Sequence, residues 1–255
     1  MSRNTRLAAA IVLVAAVVGG GYGLWYLFFR EAGPPPVTVA TNPPASSTAA
    51  PGGTAAPGVT TGPVTSDTAG GTLEGTWVVD PSIGSFSDFS GSFVGYRVQE
   101  QLAGVGANTA VGRTPDVTGS LTLAGTAITA VQIEANLTTL ESDDDRRDGQ
   151  LSRQGIQTSQ FPTSTFTLTS PIQLGSLPAE GQAISATASG NLTLHGVTKP
   201  VQIPVQAKLS NGVVTVTGSI DILFADFGIE RPSSFVVLSI DDHGIMEFQL
   251  QLRHS

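Results

Sequence analysis

From residue 127 to the C-terminus the chain alternates apolar and polar side chains with a period of two. In 127–137, Val131, Ile133, Ala135 and Leu137 share one face, opposed by Gln132, Glu134 and Asn136. In 199–209, Val201, Ile203, Val205, Ala207 and Leu209 alternate with Gln202, Pro204, Gln206 and Lys208. In 213–224, Val214, Val216, Ile220, Ile222 and Phe224 fall together, and in the last run Met246, Phe248, Leu250 and Leu252 do the same. A period of two is that of strands with one greasy and one wet face. Further strands are predicted near 73–79, 92–101, 107–113, 117–123, 164–170 and 183–195. Asn211-Gly212 is a two-residue hairpin turn by composition, and Asp242-His243-Gly244 reads as a similar turn. This all-β pattern with short turns suits an antiparallel up-and-down barrel or a sandwich, and no βαβ rhythm occurs.

One segment departs from the period. Ser142 stands where a helix N-cap would, followed by Asp143, Asp144 and Asp145, with Arg146, Arg147, Arg153 and Gly155 as C-terminal signals. A short helix over 142–155 is predicted. The acidic run lacks the alternating ligand spacing and turn glycine of a calcium loop.

The N-terminal part has another organisation. Residues 7–29 carry no charge, enough to cross the ~30 Å apolar core of a bilayer at ~1.5 Å per residue. Arg3 and Arg6 precede this run, so the expected topology is a cytoplasmic N-terminus (1–6), a transmembrane signal-anchor helix (7–29) and an extracytoplasmic remainder. A cleavable signal peptide is the alternative, but no A-x-A site follows the run. Residues 30–72 are rich in Pro, Ala, Thr and Gly. Eight of the 16 prolines fall in 33–72, with Asp67 the lone charge there, so the stretch reads as a disordered linker. Residues 73–255 form the domain.

Charge and composition narrow the function. The chain has 12 basic and 20 acidic side chains, a net charge of −8, and no cysteine. Disulfides, thiolate metal sites and cysteine nucleophiles are excluded. An acidic chain with two lysines is a poor partner for nucleic acid.

Three motifs carry a resemblance. Residues 192–200 read Leu-Thr-Leu-His-Gly-Val-Thr-Lys-Pro, Phe161-Pro162 precedes a Thr-Phe-x-Leu strand, and 226–230 read Asp-Phe-Gly-Ile-Glu. With the opening run from Gly75 to Pro81, they resemble the YceI family of exported lipid-binding proteins over 75–253. The resemblance implies an eight-stranded, lipocalin-like barrel whose apolar interior holds an isoprenoid or similar amphiphile. Two departures stand out. Relatives often carry an arginine two residues before Asp-Phe-Gly, where this chain has Phe224, and the usual histidine of the second strand is missing from 92–101, whose polar features are Tyr96 and Arg97.

Candidate chemistry is sparse. His195, His243 and His254 are isolated, so neither a catalytic dyad nor a zinc site is indicated. Asp80 and Asp88 flank Phe86, but paired glycosidase carboxylates need a polar cleft. Gly104-Val105-Gly106 lacks the rest of a dinucleotide fingerprint. No enzyme activity and no cofactor are expected. The aromatics on or beside apolar faces are the better candidates. Trp77, Phe93, Tyr96, Phe161 and Phe166 are expected to line a cavity, together with Val131, Ile133, Val216, Phe224 and Phe248. Small residues such as Gly119, Ala135, Ala186, Ala188, Gly190 and Gly218 leave room for one. The expected partners are an isoprenoid or lipid-like ligand, the membrane through 7–29, and a second copy in a homodimer. A solid adhesion module that binds through its outer face is the rival.

Overall fold

The computed structural model describes residues 34–38, 73–232 and 237–255, and here the alternation becomes one antiparallel sheet closed on itself. Its strands are β1 (Gly75–Val79), β2 (Phe93–Leu102), β3 (Gly106–Thr114), β4 (Val117–Ala124), β5 (Ala127–Asn136), β6 (Glu141–Ser142) and β7 (Thr163–Leu168). They continue as β8 (Ile172–Gln173), β9 (Ala183–Leu194), β10 (Val197–Ser210), β11 (Val213–Leu223), β12 (Val237–Ile240) and β13 (His243–His254).

These strands fill eight positions around a closed barrel. β1 and β2 share one position end to end along β13: Val79 faces Leu252, and Phe93 faces Gln249. β3 runs into β4 through Pro115 and Asp116, and these two share the next position, against β2 and β1 respectively. β5, β7, β9, β10, β11 and β13 complete the ring. Pairing of β1 with β13 closes the wall at that end, while β3 pairs on its far side only at Gly112 and Arg113, with β6.

The long hairpins follow the sequence closely. β9 and β10 pair from Leu194↔Val197 to Ala183↔Lys208 across His195-Gly196, whose φ values are 51° and 72°. Asn211 and Gly212, at 52° and 74°, turn β10 into β11 in the same left-handed way. One irregularity matters to the interior. Thr122 pairs with Ala130 but Leu123 pairs with Ile128, so β5 carries a bulge that lets both Ile128 and Val131 line the interior.

Two local expectations are corrected. Asp242-His243-Gly244 is not a hairpin turn. β12 and β13 both pair with β2, β12 at Glu100–Leu102 and β13 at Phe93–Arg97, so they are one interrupted strand. The helix is also shorter than 142–155: α1 spans Asp145–Gln150 and passes into a wider turn over Leu151–Gly155. Its N-cap is Asp144, whose carboxylate accepts from the N–H groups of Arg146 and Arg147. Ser142 belongs to β6 and donates its hydroxyl to Asp148 at 2.6 Å.

The loop between β1 and β2 folds over the outer wall. Gln249 Nε2 donates to the carbonyls of Phe89 and Gly91, and Gln251 Nε2 to that of Ser90. Asp80 and Asp88 hold the loop's own turns, accepting from Ser82 and Ser90. No helix among the described residues is long and apolar enough to cross a membrane. The segments expected over 1–6 and 7–29 lie outside the described residues, as does most of 30–72.

Candidate ligand-binding site

The inner faces of the strands enclose two cavities. The first, about 170 Å³, is walled almost entirely by carbon, with Trp77, Leu121, Val131, Ile133, Phe166, Val216 and Phe248 among its lining. The second, about 540 Å³, is lined by Tyr96, Val98, Leu137, Ile222 and Phe224, with residues of α1 at its edge. Val94, Ser164 and Met246 border both. β13 gives Phe248, Leu250 and Leu252 to the first cavity and Gly244 and Met246 to the second, so the two follow one another along the barrel.

Room is made by glycines set beneath aromatic rings. Gly218 faces Phe248 across the β11–β13 pair, and Gly112 faces Tyr96 across β2–β3. A Cβ on Gly218 would come within 2.6 Å of the Phe248 ring. On Gly112 it would come within 2.4 Å of Tyr96, and on Gly190 within 2.4 Å of Phe166. Each ring therefore lies against bare backbone rather than standing into the interior. Alternation alone predicts inward aromatics; these pairs explain why they do not plug the barrel.

The second cavity has a polar pole. Glu100 lies on the same inward face of β2 as Val94, Tyr96 and Val98 and is 7% exposed. Arg147 Nη2 reaches it from α1 at 2.8 Å, and Asn108 Nδ2 also donates to it. Burial works against the charge on Arg147, but Glu100 and Asp143 outweigh it and hold its pKa above the ordinary arginine value. Tyr96 projects nearby, and its hydroxyl is buried with no hydrogen-bond partner among the described residues. Burial raises its pKa well above that of a free phenol, so the group is a neutral donor at any ordinary pH. Arg146 and Gln150 line the same end. An amphiphile would find apolar wall along most of the interior, a polar cluster of Tyr96, Glu100, Arg146 and Arg147 in the second cavity, and Lys208 beside the first.

The sequence-predicted residues are thus distributed over several places. Trp77, Val131, Ile133, Phe166, Val216 and Phe248 line the first cavity; Tyr96 and Phe224 line the second. Phe93 and Phe161 line neither. Phe93 faces outward, stacked edge-on to Phe89 at 6.0 Å and beneath the Arg113 guanidinium at 4.1 Å. Phe161 packs on His195, with ring centroids 4.3 Å apart, and leaves no space for a side chain at Gly196. His195 shares a hydrogen bond between Nδ1 and the carbonyl of Phe227 at 3.0 Å, and Lys199 lies 3.6 Å from Asp226. Phe161, His195, Lys199, Asp226 and Phe227 of the three sequence motifs therefore meet in one structural cluster, while Phe166 and Leu192 of the same motifs line the first cavity and Leu194 and Ile229 the second. Glu100 and Arg147 were missed as site residues, although a carboxylate on the apolar face of β2 is visible in the alternation.

No group of three or more potential metal ligands occurs among the described residues. The YceI-like domain profile matches residues 77–252. No curated protein matches the chain. Among solved structures, a polyisoprenoid binding domain from Saccharophagus degradans implicated in plant cell wall breakdown is similar with a TM-score of 0.54 at 16% identity, over 71% of this chain and 99% of that one. BcnA from Burkholderia cenocepacia is similar with a TM-score of 0.51 at 17% identity, over 68% and 98% of the two chains. At such identities these likenesses speak for the fold. The profile match extends over most of the chain and across nearly the whole barrel, and by it the chain belongs to the YceI-like domain family.

Proposed function

We propose that the barrel binds a polyisoprenoid or another long-chain amphiphile in its two successive cavities, outside the cytoplasm, without transforming it. The observation that carries this reading is the succession of two largely apolar cavities along the barrel, the second edged by Tyr96, Glu100 and Arg147. Burying apolar surface contributes ~25 cal/mol per Å², less the cost of ordering the chain, so several hundred Å² suffices for micromolar binding. The Saccharophagus relative's description as a polyisoprenoid binding domain supports the same ligand class. Extracytoplasmic placement and membrane attachment are supported by the uncharged run 7–29 behind Arg3 and Arg6. The space within the barrel weighs against the rival of a solid adhesion module.

Organic extraction of full-length protein purified from its native membrane, followed by mass spectrometry, tests the reading. A stoichiometric isoprenoid or acyl lipid is the expected result. Protein that carries no lipid and takes up no long-chain probe overturns it.

A further inference from the structure

The described residues of the proline-rich stretch lie on the barrel. Pro34 and Pro35 turn successive carbonyl oxygens toward two guanidinium groups of the outer wall. Arg97 Nη2 donates to the Pro34 carbonyl, and Arg113 Nη2 donates to that of Pro35 at 3.0 Å. Both arginines also hold one carboxylate, Glu247. Arg97 Nε reaches it at 2.6 Å, and Arg113 reaches it through Nε at 2.9 Å and Nη2 at 2.6 Å. Arg113 is only 3% exposed and Glu247 1%. Two cations around one anion have more donors than the anion can accept, and buried donors need partners. The carbonyls of Pro34 and Pro35 supply them.

Proline suits this task. It brings an acceptor but no N–H that would itself need a partner, and its fixed φ leaves little backbone freedom to lose on docking. Pro34 and Val37 are half-buried, whereas Pro35, Pro36 and Thr38 stay exposed.

We propose that the Arg97–Arg113 pair is a docking site for residues 34–38 of this same chain, and that it divides the 30–72 stretch into a short leash and a closed loop. From Arg30 to Pro34 the chain spans at most ~14 Å. A forty-residue free tether would instead let the barrel wander by roughly 35 Å. Combined with the membrane attachment proposed above, docking seats the barrel at the bilayer surface in one orientation. The docking itself does not depend on the bound ligand, because these residues lie on the outer wall.

The absence of cysteine makes a clean test possible. Nitroxides are placed on full-length protein in lipid nanodiscs through Thr38→Cys and Gln99→Cys, both at exposed positions, Gln99 two residues from Arg97. Double electron–electron resonance is expected to give one short, narrow distance. With Pro34→Gly, Pro35→Ser and Pro36→Gly added, the distribution should widen severalfold and move toward the roughly 30 Å expected of a free chain over the 35 residues from Thr38 to Leu73. A broad distribution with the native prolines overturns the proposal. So does a narrow one that survives their replacement. Lipid content measured on the same samples should be equal in both, which separates a failure of docking from a failure of ligand binding.

Discussion

At the scale of single residues, Tyr96 separates stability from binding. Its buried hydroxyl lacks a partner among the described residues, and an unmet donor costs ~1–3 kcal/mol. Tyr96→Phe should therefore leave the empty barrel as stable or about 1 kcal/mol more stable in urea unfolding. The same variant should lose affinity for probes with a polar head while keeping affinity for a plain hydrocarbon probe. Phe224 lines the same cavity with no charge to offer. Phe224→Asp should abolish lipid retention or the fold, since an unpaired carboxylate would enter apolar surroundings; Phe224→Leu should weaken retention only modestly, both read by lipid extraction. At Gly218 an added methyl meets the Phe248 ring. Gly218→Ala should cost ~1–3 kcal/mol by overpacking, and probe uptake should fall as the ring is pushed inward. His243 is an exposed pH reporter. Its hydrogen bond to Asp242 raises its pKa, helped by the charges of Asp242, Asp241 and Asp221. A raised folded pKa stabilises below the unfolded value near 6.5 and fades as pH rises through the folded value. NMR titration should place His243 above 6.5, and Asp242→Asn should bring it down.

At the scale of elements, the strands were legible because a half-buried strand repeats every two residues, and β9, β10, β11 and β13 keep that period through their length. The wet and dry faces were less legible in β2. Phe93 and Tyr96 are both large aromatics there, but an odd separation puts them on opposite faces, and a covering loop buries the outward one. Sequence cannot show that loop, nor that Phe161 is consumed by the His195 turn. The helix boundary failed for a different reason: of two neighbouring cap residues, Ser142 was already engaged in β6 and with Asp148, leaving Asp144 to cap. The most testable element-level feature is the outer-wall ion cluster joining β2, β3 and β13. Glu247→Gln would leave two arginines buried around a neutral amide, and should cost about 3–5 kcal/mol in chemical denaturation. Rates of amide exchange should rise first along the β13–β2 pair.

For the whole molecule, the seam between β1 and β2 and the polar pole near α1 make the two ends of the barrel unlike. Carrying a charged or hydroxylated head through the first cavity, whose wall is carbon apart from a few groups such as Ser164, Thr165 and Lys208, would strip most of its water for little return, whereas the tail crosses that surface at no such cost. On the proposed function, an amphiphile held with its head beside Arg147 and Tyr96 would therefore enter and leave by that one end. A donor and an acceptor could not then both address the barrel at once; each would withdraw before the other engaged. Transfer between two populations of vesicles would become a relay of alternating loaded and empty encounters, and its rate should saturate separately with donor and with acceptor, as in a substituted mechanism rather than a ternary one.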